Sequence, residues 1–475
     1  MLLLNYNFFL VECGMKKIVV QNPSLNYQTI ATFDQTSLQE VDVKIAQVRK
    51  YFATWSCQSL SYRIQVLEKL LQIFTVRRDE IAYVIAQEVG MPISVCNNID
   101  IDSGLMHMKG YLQQAEVWLS PEVTYETITE IHTQYYEPFG VVGISIPWNY
   151  PFSNFIWTVI PSLLVGNTVV IKHSENCMLA AKLLEEMIQS VSELVDACQF
   201  VFGLGSTVGN HLIYGDIDYL WFIGSTHTGS FIQQAAADSG IPVLLELGGS
   251  APAIVFEDAD IDAAVASVYG YRFSNSGQSC DAIKRLLVHE SIFEQFVDKL
   301  VSYIHTKKVG SALDETTDIG PLVNKRQVEM LQQQVDDALE KDAKIICGGK
   351  APVDLDGAYY KPTILTDITF DMAVWNEEVF GPVLPVISFT STQEAIELAN
   401  DTEYGLGAYV YTQSRDLAGQ MSSVIKSGNI SINGTSYVLP QNPFGGYKKA
   451  SGFGRVHGRF GMQNLCNIKV VATKK

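Results

Sequence analysis

From about residue 140 the chain alternates short apolar runs with amphipathic segments, and this rhythm limits its folds more than any other feature. "VVGISI", "NTVVIK", "ACQFVF", "DYLWFI", "VLLEL" and "APAIVF" are separated by stretches such as 178–192 and 226–238, whose apolar residues recur at helical spacing. Strands alternating with helices predict a parallel sheet covered by helices on both faces. A second series runs from "RLLVHE" through "AYYKPTIL", "VLPVISF", "LGAYVYT" and "GNISING", enough for a second α/β unit. At 475 residues the chain exceeds one ordinary core, so two or three units are expected. Residues 37–90 read as helical, with Gly90 and Pro92 as the stop signal.

Between the helical start and the first strand run, residues 123–140 alternate polar and apolar residues, as an exposed hairpin does, and "CNIKVVATKK" near the C-terminus also reads as a strand. Packing on the chain's own domain and pairing with another subunit are equally open for these strands. A net charge of −18 argues against nucleic acid, which selects basic faces, and against anionic membranes. The eight cysteines form no C-x-x-C pair and no short cluster, so no metal is expected, and reduced thiols in a cytoplasm are. The opening apolar run has no preceding basic residue and is shorter than the roughly 20 residues a bilayer span needs. A start at Met15, with residues 1–14 as an extension, is expected over a secretory signal.

Five segments could carry chemistry, each with a plainer alternative. "VFGLGSTVGN" (201–210) contains Gly205 in a glycine pattern after a strand, which suits a dinucleotide turn or an ordinary strand-to-helix turn. In "FIGSTHTGS" (222–230), Gly224 and Ser225 would offer backbone N–H groups at a helix N-terminus, a ready anion site. Asn149 in "IPWNYPFSNFIW" lies just past a strand, where its amide could stabilise an oxyanion or merely shape a turn between prolines. Glu246 in "LLELGGS" sits in an apolar strand, which suits a general base with a raised pKa, or a salt-bridged strand end. Cys280 in "FSNSGQSCDAIKR" follows small residues that leave its sulfur open. Gly277 and a following helix N-terminus would favour a thiolate nucleophile; packing is the plain alternative.

Taken in order, these segments resemble the aldehyde dehydrogenase superfamily over nearly the whole chain, from about Asn22 to Val471. The landmarks are "PWNYP", "GNTVVIKHSE", "FIGSTHTG", "ELGGS", "NSGQSC", "EEVFGPV" and "PFGGYKKASGFGR", the last with one extra residue before "SGFGR". The resemblance implies a Rossmann-type NAD-binding domain (15–119 and 140–246) and an α/β catalytic domain (247–442). It adds a small β oligomerisation segment (120–139 and 443–475) and a homodimer or homotetramer. It implies attack by Cys280 on an aldehyde, an oxyanion held by Asn149, and water activated by Glu246 to release the acid. It also places Lys172 and Glu175 on the adenosine ribose, with Trp148 and Gly205 nearby. Ser225, beside Gly224, falls on the pyrophosphate, and Glu378 and Phe380 at the nicotinamide ribose. An acidic side chain at a ribose repels a 2′-phosphate, so Glu175 favours NAD, while Lys172 leaves NADP admissible.

For substrate, the motifs look most like a branch containing succinate-semialdehyde dehydrogenases. That branch grips a carboxylate with an arginine eight residues after the oxyanion Asn; here that position is Trp157, and the loop 434–443 has no arginine. Trp157, Tyr150 and Ser279 are therefore expected to line a pocket for an apolar aliphatic or aromatic aldehyde. Succinate semialdehyde and betaine aldehyde are the alternatives, the latter because rings can face a quaternary ammonium. A noncatalytic binding protein of the same fold is the alternative outside enzymes.

Overall fold

The alternating runs become two parallel sheets in the computed structural model, which describes residues 17–475; the expected start at Met15 lies outside the described residues. The first sheet has six strands in the order Gly452–Phe453, Val243–Glu246, Tyr219–Ile223, Val141–Ile146, Thr168–His173, Cys198–Phe200. All neighbours are parallel except Gly452–Phe453, which runs antiparallel to Val243–Glu246. From Val141–Ile146 the order proceeds outward to one side and then restarts on the other. A crevice therefore opens beyond the carboxyl ends of Val141–Ile146 and Tyr219–Ile223.

The second sheet has seven strands, in the order Lys344–Cys347, Thr363–Thr366, Val383–Phe389, Ile283–His289, Ala251–Val255, Gly407–Tyr411, Asn429–Ile432. Only Lys344–Cys347 is antiparallel. The central strands are buried save for His289 at the end of one, which is why they read as mostly apolar runs rather than alternating ones. Four residues, Leu247–Ser250, join Val243–Glu246 of the first sheet to Ala251–Val255 of the second.

The helical start resolves into Leu38–Trp55, Leu60–Val76 and Arg78–Val89. Ser37 and Glu40 close a reciprocal capping box on the first, and Gly90 ends the third at φ +84. Residues 123–140 do form a hairpin, Glu122–Glu126 with Glu130–Pro138, and Cys466–Lys474 pairs with the latter over nine residues. The three strands make a separate, largely exposed sheet. No helix among the described residues is long and apolar enough to cross a membrane.

Candidate active site

The loop that carries Cys280 is built from residues in uncommon backbone conformations. Asn275, Ser276 and Gly277 take φ of +49, +55 and +77, which asparagine tolerates and glycine adopts freely. A Cβ at Gly277 would also lie 2.4 Å from the carbonyl oxygen of Gly381. After this turn the chain runs into the strand Ile283–His289, not into the helix expected behind Cys280; "IKRLLVH" is the central strand of a buried sheet. The positive potential comes instead from Lys284, a fully buried cation whose Nζ donates to the Cys280 carbonyl at 3.1 Å and pairs with Glu378. Cys280 is half-buried. Its thiol pKa is pushed well up by burial and then by the Asp281 charge, with Lys284 pulling it back down.

Asn149 stands at the carboxyl end of Val141–Ile146, against the same loop. Its Nδ2 donates to the Gln278 carbonyl at 3.1 Å, and Asn275 Nδ2 donates to the Asn149 carbonyl at 2.8 Å. The Asn149 amide is thus tied to the loop that carries Cys280.

Glu246 closes the strand Val243–Glu246, 5% exposed, with neither carboxyl oxygen hydrogen-bonded among the described residues. Burial holds its pKa well above the carboxylate range, and only the Arg455 charge opposes this. The salt-bridged alternative is absent among the described residues. Glu246 pairs with Gly452, so the C-terminal stretch walls in this carboxyl.

The groups expected at a cofactor sit around the first sheet's crevice. Ser225 caps the helix Thr226–Ser239, its Oγ accepting from Thr228 N at 3.3 Å, and the Gly224 N–H donates to the Glu246 carbonyl at 3.0 Å. Lys172 is buried, 3.5 Å from Glu175 Oε2, and its pKa is lowered by burial despite that neighbour. Gly205 opens the turn before Asn210–Ile213, and nothing lies within 4 Å of where its Cβ would be. Trp148 meets Phe380 edge to face, centroids 5.7 Å apart, with Lys284 5.4 Å from the Phe380 ring. Glu378 Oε1 accepts from Gly249 N at 3.1 Å, so Glu378, Phe380 and Trp148 converge near Cys280. An exposed helix N-terminus, an open glycine turn and a Lys–Glu pair at adjacent strand ends suit a dinucleotide. Among the described residues no three His, Cys, Asp or Glu side chains gather as a metal site.

Trp157 lies two turns along the helix Pro151–Val165, which begins after Tyr150. Its ring contacts His457, His107 and Phe444 at centroid distances of 4.6, 5.3 and 6.2 Å. Tyr150, Trp157, Cys280, Tyr437 and Val438 are all half-buried against one apolar cluster. Ser279 turns its Oγ to Asp281, donating at 2.7 Å. The sequence reading missed Lys284, Asp281, Gln278 and Tyr437. The first two stand inside "SCDAIKR" as ordinary charges, and only the fold shows that neither reaches solvent fully.

Two largely parallel sheets joined through Leu247–Ser250, with thiol, amide and carboxyl near their junction and a phosphate-ready helix end at the first sheet's crevice, form an α/β enzyme architecture. The chain belongs to the aldehyde dehydrogenase family, whose model matches residues 10–471. It is 35% identical over 467 residues to the chloroplastic betaine aldehyde dehydrogenase of Beta vulgaris, covering 96% of this chain and 93% of that one. It is likewise 35% identical to aminoaldehyde dehydrogenase 1 of Pisum sativum, covering 96% and 92%. A solved aldehyde dehydrogenase from Bacillus cereus, an NAD+ complex, superposes with a TM-score of 0.92 at 31% identity, covering 97% and 93%.

Proposed function

We propose that the protein oxidises an aldehyde to a carboxylic acid with NAD, tolerating NADP, through a covalent intermediate on Cys280. The observation that carries this reading is the convergence of Cys280, Asn149 and the unpaired, buried Glu246 at the sheet junction. The Cys280 thiolate adds to the aldehyde carbon, and the developing oxyanion accepts from the free Asn149 amide hydrogen and the Cys280 backbone N–H. A bound nicotinamide supplies the hydride acceptor. Trp148, Lys172, Glu175, Gly205, Gly224, Ser225, Glu378 and Phe380 would hold the dinucleotide. Lys284 tempers the charge around the thiol, and Glu246, once deprotonated, takes the proton of the water that releases the acid.

The chain of the substrate lies against Trp157, Phe444, Tyr150 and Val438, an apolar and aromatic wall that suits an aliphatic or aromatic segment next to the carbonyl. With no arginine at Trp157 or in residues 434–443, a substrate carboxylate would be desolvated unpaired, which disfavours succinate semialdehyde. Residues 15–119 and 140–246 act as the cofactor domain and 247–442 as the catalytic domain. Residues 120–139 and 443–475 act as the oligomerisation segment, whose exposed three-stranded sheet bears Tyr125, Tyr135, Ile468 and Val470 at its surface and serves a cytoplasmic homo-oligomer. Initial-rate reduction of NAD and NADP across an aldehyde panel tests the reading. Turnover by the wild type and none by Cys280→Ser is the expected result. Unaltered binding function with no turnover in either would favour a binding protein instead.

A further inference from the structure

Arg272, in the last turn of the helix Ile261–Phe273, is fully buried just before the thiol loop begins. Its Nη2 donates to the carbonyls of Val379, at 3.3 Å, and of Gly381. Its Nε and Nη1 have no hydrogen-bond partner among the described residues. The carboxylate whose charge reaches it, Glu378, is paired with Lys284. Burial lowers the guanidinium pKa from 12.5 to about 9, so it is still a cation at neutral pH. The C-terminal end of its own helix favours that charge. Even so, a buried cation without a bonded carboxylate is costly, and a packed apolar side chain would avoid the cost. What this cation holds is two carbonyls of the segment 378–381.

That segment is gripped from two sides. The Glu378 carbonyl accepts from Gln334 Nε2 at 3.4 Å and the Phe380 carbonyl from Gln327 Nε2 at 2.8 Å, both on the helix Lys325–Glu340. The alternate carbonyls, of Val379 and Gly381, belong to Arg272. The Gly381 carbonyl also abuts the thiol loop, since a Cβ on Gly277 would fall 2.4 Å from its oxygen and 3.1 Å from that of Arg272. The far side of the loop is tied as well. Ser276 Oγ donates to the Gly320 carbonyl at 2.8 Å, and Gln278 Oε1 accepts from Val323 N at 3.0 Å. The chain then enters the helix Lys325–Glu340, capped by Asn324. Thiol loop, residues 320–323, helix, segment 378–381 and Arg272 thus make a closed circuit, with the guanidinium as the link back to the loop.

We propose that Arg272 is a positioning residue for hydride transfer, fixing Glu378 and Phe380 at a set spacing from Cys280. This role rests on the aldehyde oxidation proposed above and concerns its first half. There the C–H bond of the Cys280 adduct breaks. The hydrogen leaves with its electron pair for the bound nicotinamide, and the adduct oxygen becomes the thioester carbonyl. Such a transfer depends steeply on spacing, and a misplacement of about 1 Å can cost about a hundredfold. Arg272 touches none of the reacting atoms and acts through the carbonyls of Val379 and Gly381.

The test follows the first turnover of hexanal and of benzaldehyde by stopped flow, each also deuterated at the aldehyde carbon. Arg272→Met should slow that turnover by about tenfold to a hundredfold and give it a deuterium isotope effect. Alkylation of Cys280 by iodoacetamide in the cofactor-free variant should keep the wild-type rate. Saturating NAD, with no aldehyde present, should protect Cys280 from iodoacetamide in the wild type and protect it less in the variant. Arg272→Lys keeps the charge but loses the planar fork, so it should recover only part of the rate. It carries the same measurements should the Met variant fail to fold. An unchanged first turnover, or an equal loss of turnover and of cofactor-free alkylation, would overturn the positioning role and leave aldehyde oxidation standing. Failure of the folded wild type, with a reduced Cys280, to oxidise either aldehyde would overturn both.

Discussion

The side chain of Asn149 and the main chain of Gln278 are joined by a hydrogen bond of 3.1 Å, from the end of the first sheet to the loop two residues before the nucleophile. The bond sets the Asn149 amide, the proposed oxyanion donor, and the thiol loop in one frame, across the junction between sheets. Replacing Asn149 with Ala should therefore lower kcat by about a hundredfold to a thousandfold, the usual cost of one oxyanion donor. Cys280 should still react with iodoacetamide, since its own surroundings persist. Equal loss of alkylation and turnover would mean that Asn149 holds the loop rather than the oxyanion.

Glu246→Gln should separate the two halves of the reaction. With the base gone, a rapid first turnover should release about one equivalent of reduced cofactor per site, followed by a steady rate at least about a hundredfold lower. Stopped-flow absorbance checks this directly. In the wild type the carboxyl is held well above its ordinary range, so the steady rate should climb with pH until that group ionises, and the variant should lack this limb.

Lys284→Met removes the buried cation that pulls the Cys280 thiol down. The midpoint of alkylation against pH should move upward in the variant. An unmoved midpoint would leave Lys284 only its bonds to Glu378 and to the loop carbonyls.

Glu175→Gln should raise the ratio of NADP to NAD use, by about tenfold, because one charge opposing a 2′-phosphate is gone while Lys172 remains. Comparing KM for the two cofactors decides it, and an unchanged ratio would place the ribose elsewhere.

A pH effect on stability follows from Glu88, a buried residue whose carboxylate oxygens accept from Leu179 and Ala180 N–H at 2.8 and 2.7 Å. Burial outweighs these bonds and lifts its pKa from 4.5 to about 8. The folded state then binds a proton that the unfolded chain has released. Stability from this group is complete below pH 4.5 and is lost as pH rises toward about 8. Urea midpoints at both ends of that window should fall with pH in the wild type, and fall less in Glu88→Gln.

How far the sequence reveals the site depends on whether a residue's neighbours in the chain are also its neighbours in space. Cys280, with its left-handed Asn-Ser-Gly approach, and Glu246, ahead of two glycines, carry local signatures because backbone geometry demands particular residues there. The parallel sheets are equally legible, since buried strands must be apolar along their length. Lys284 misleads in isolation: its partner Glu378 lies 94 positions away, and only the fold makes the pair. The helix N-terminus expected behind Gly277 does not form, because the chain passes within a few residues into the strand Ile283–His289, whose "RLLVHE" reads as a strand in the sequence itself. Asp281 gives no signal at all, since its meaning lies in the tyrosines that reach it from residues 409 and 437.

The strand that bears Glu246 is flanked by Gly452–Phe453, more than 200 positions later in the chain, and this ties the site to the order of synthesis. A ribosome that has made the first 440 residues has already released nearly every group of the site, yet the wall behind the base is still missing. Water would reach that carboxyl, and its raised proton affinity would relax toward that of an ordinary glutamate. A chain cut short anywhere before Gly452 would therefore keep the Cys280 thiol but lack the dry Glu246 carboxyl that the proposed reaction needs, so competence would arrive only with the last few dozen residues.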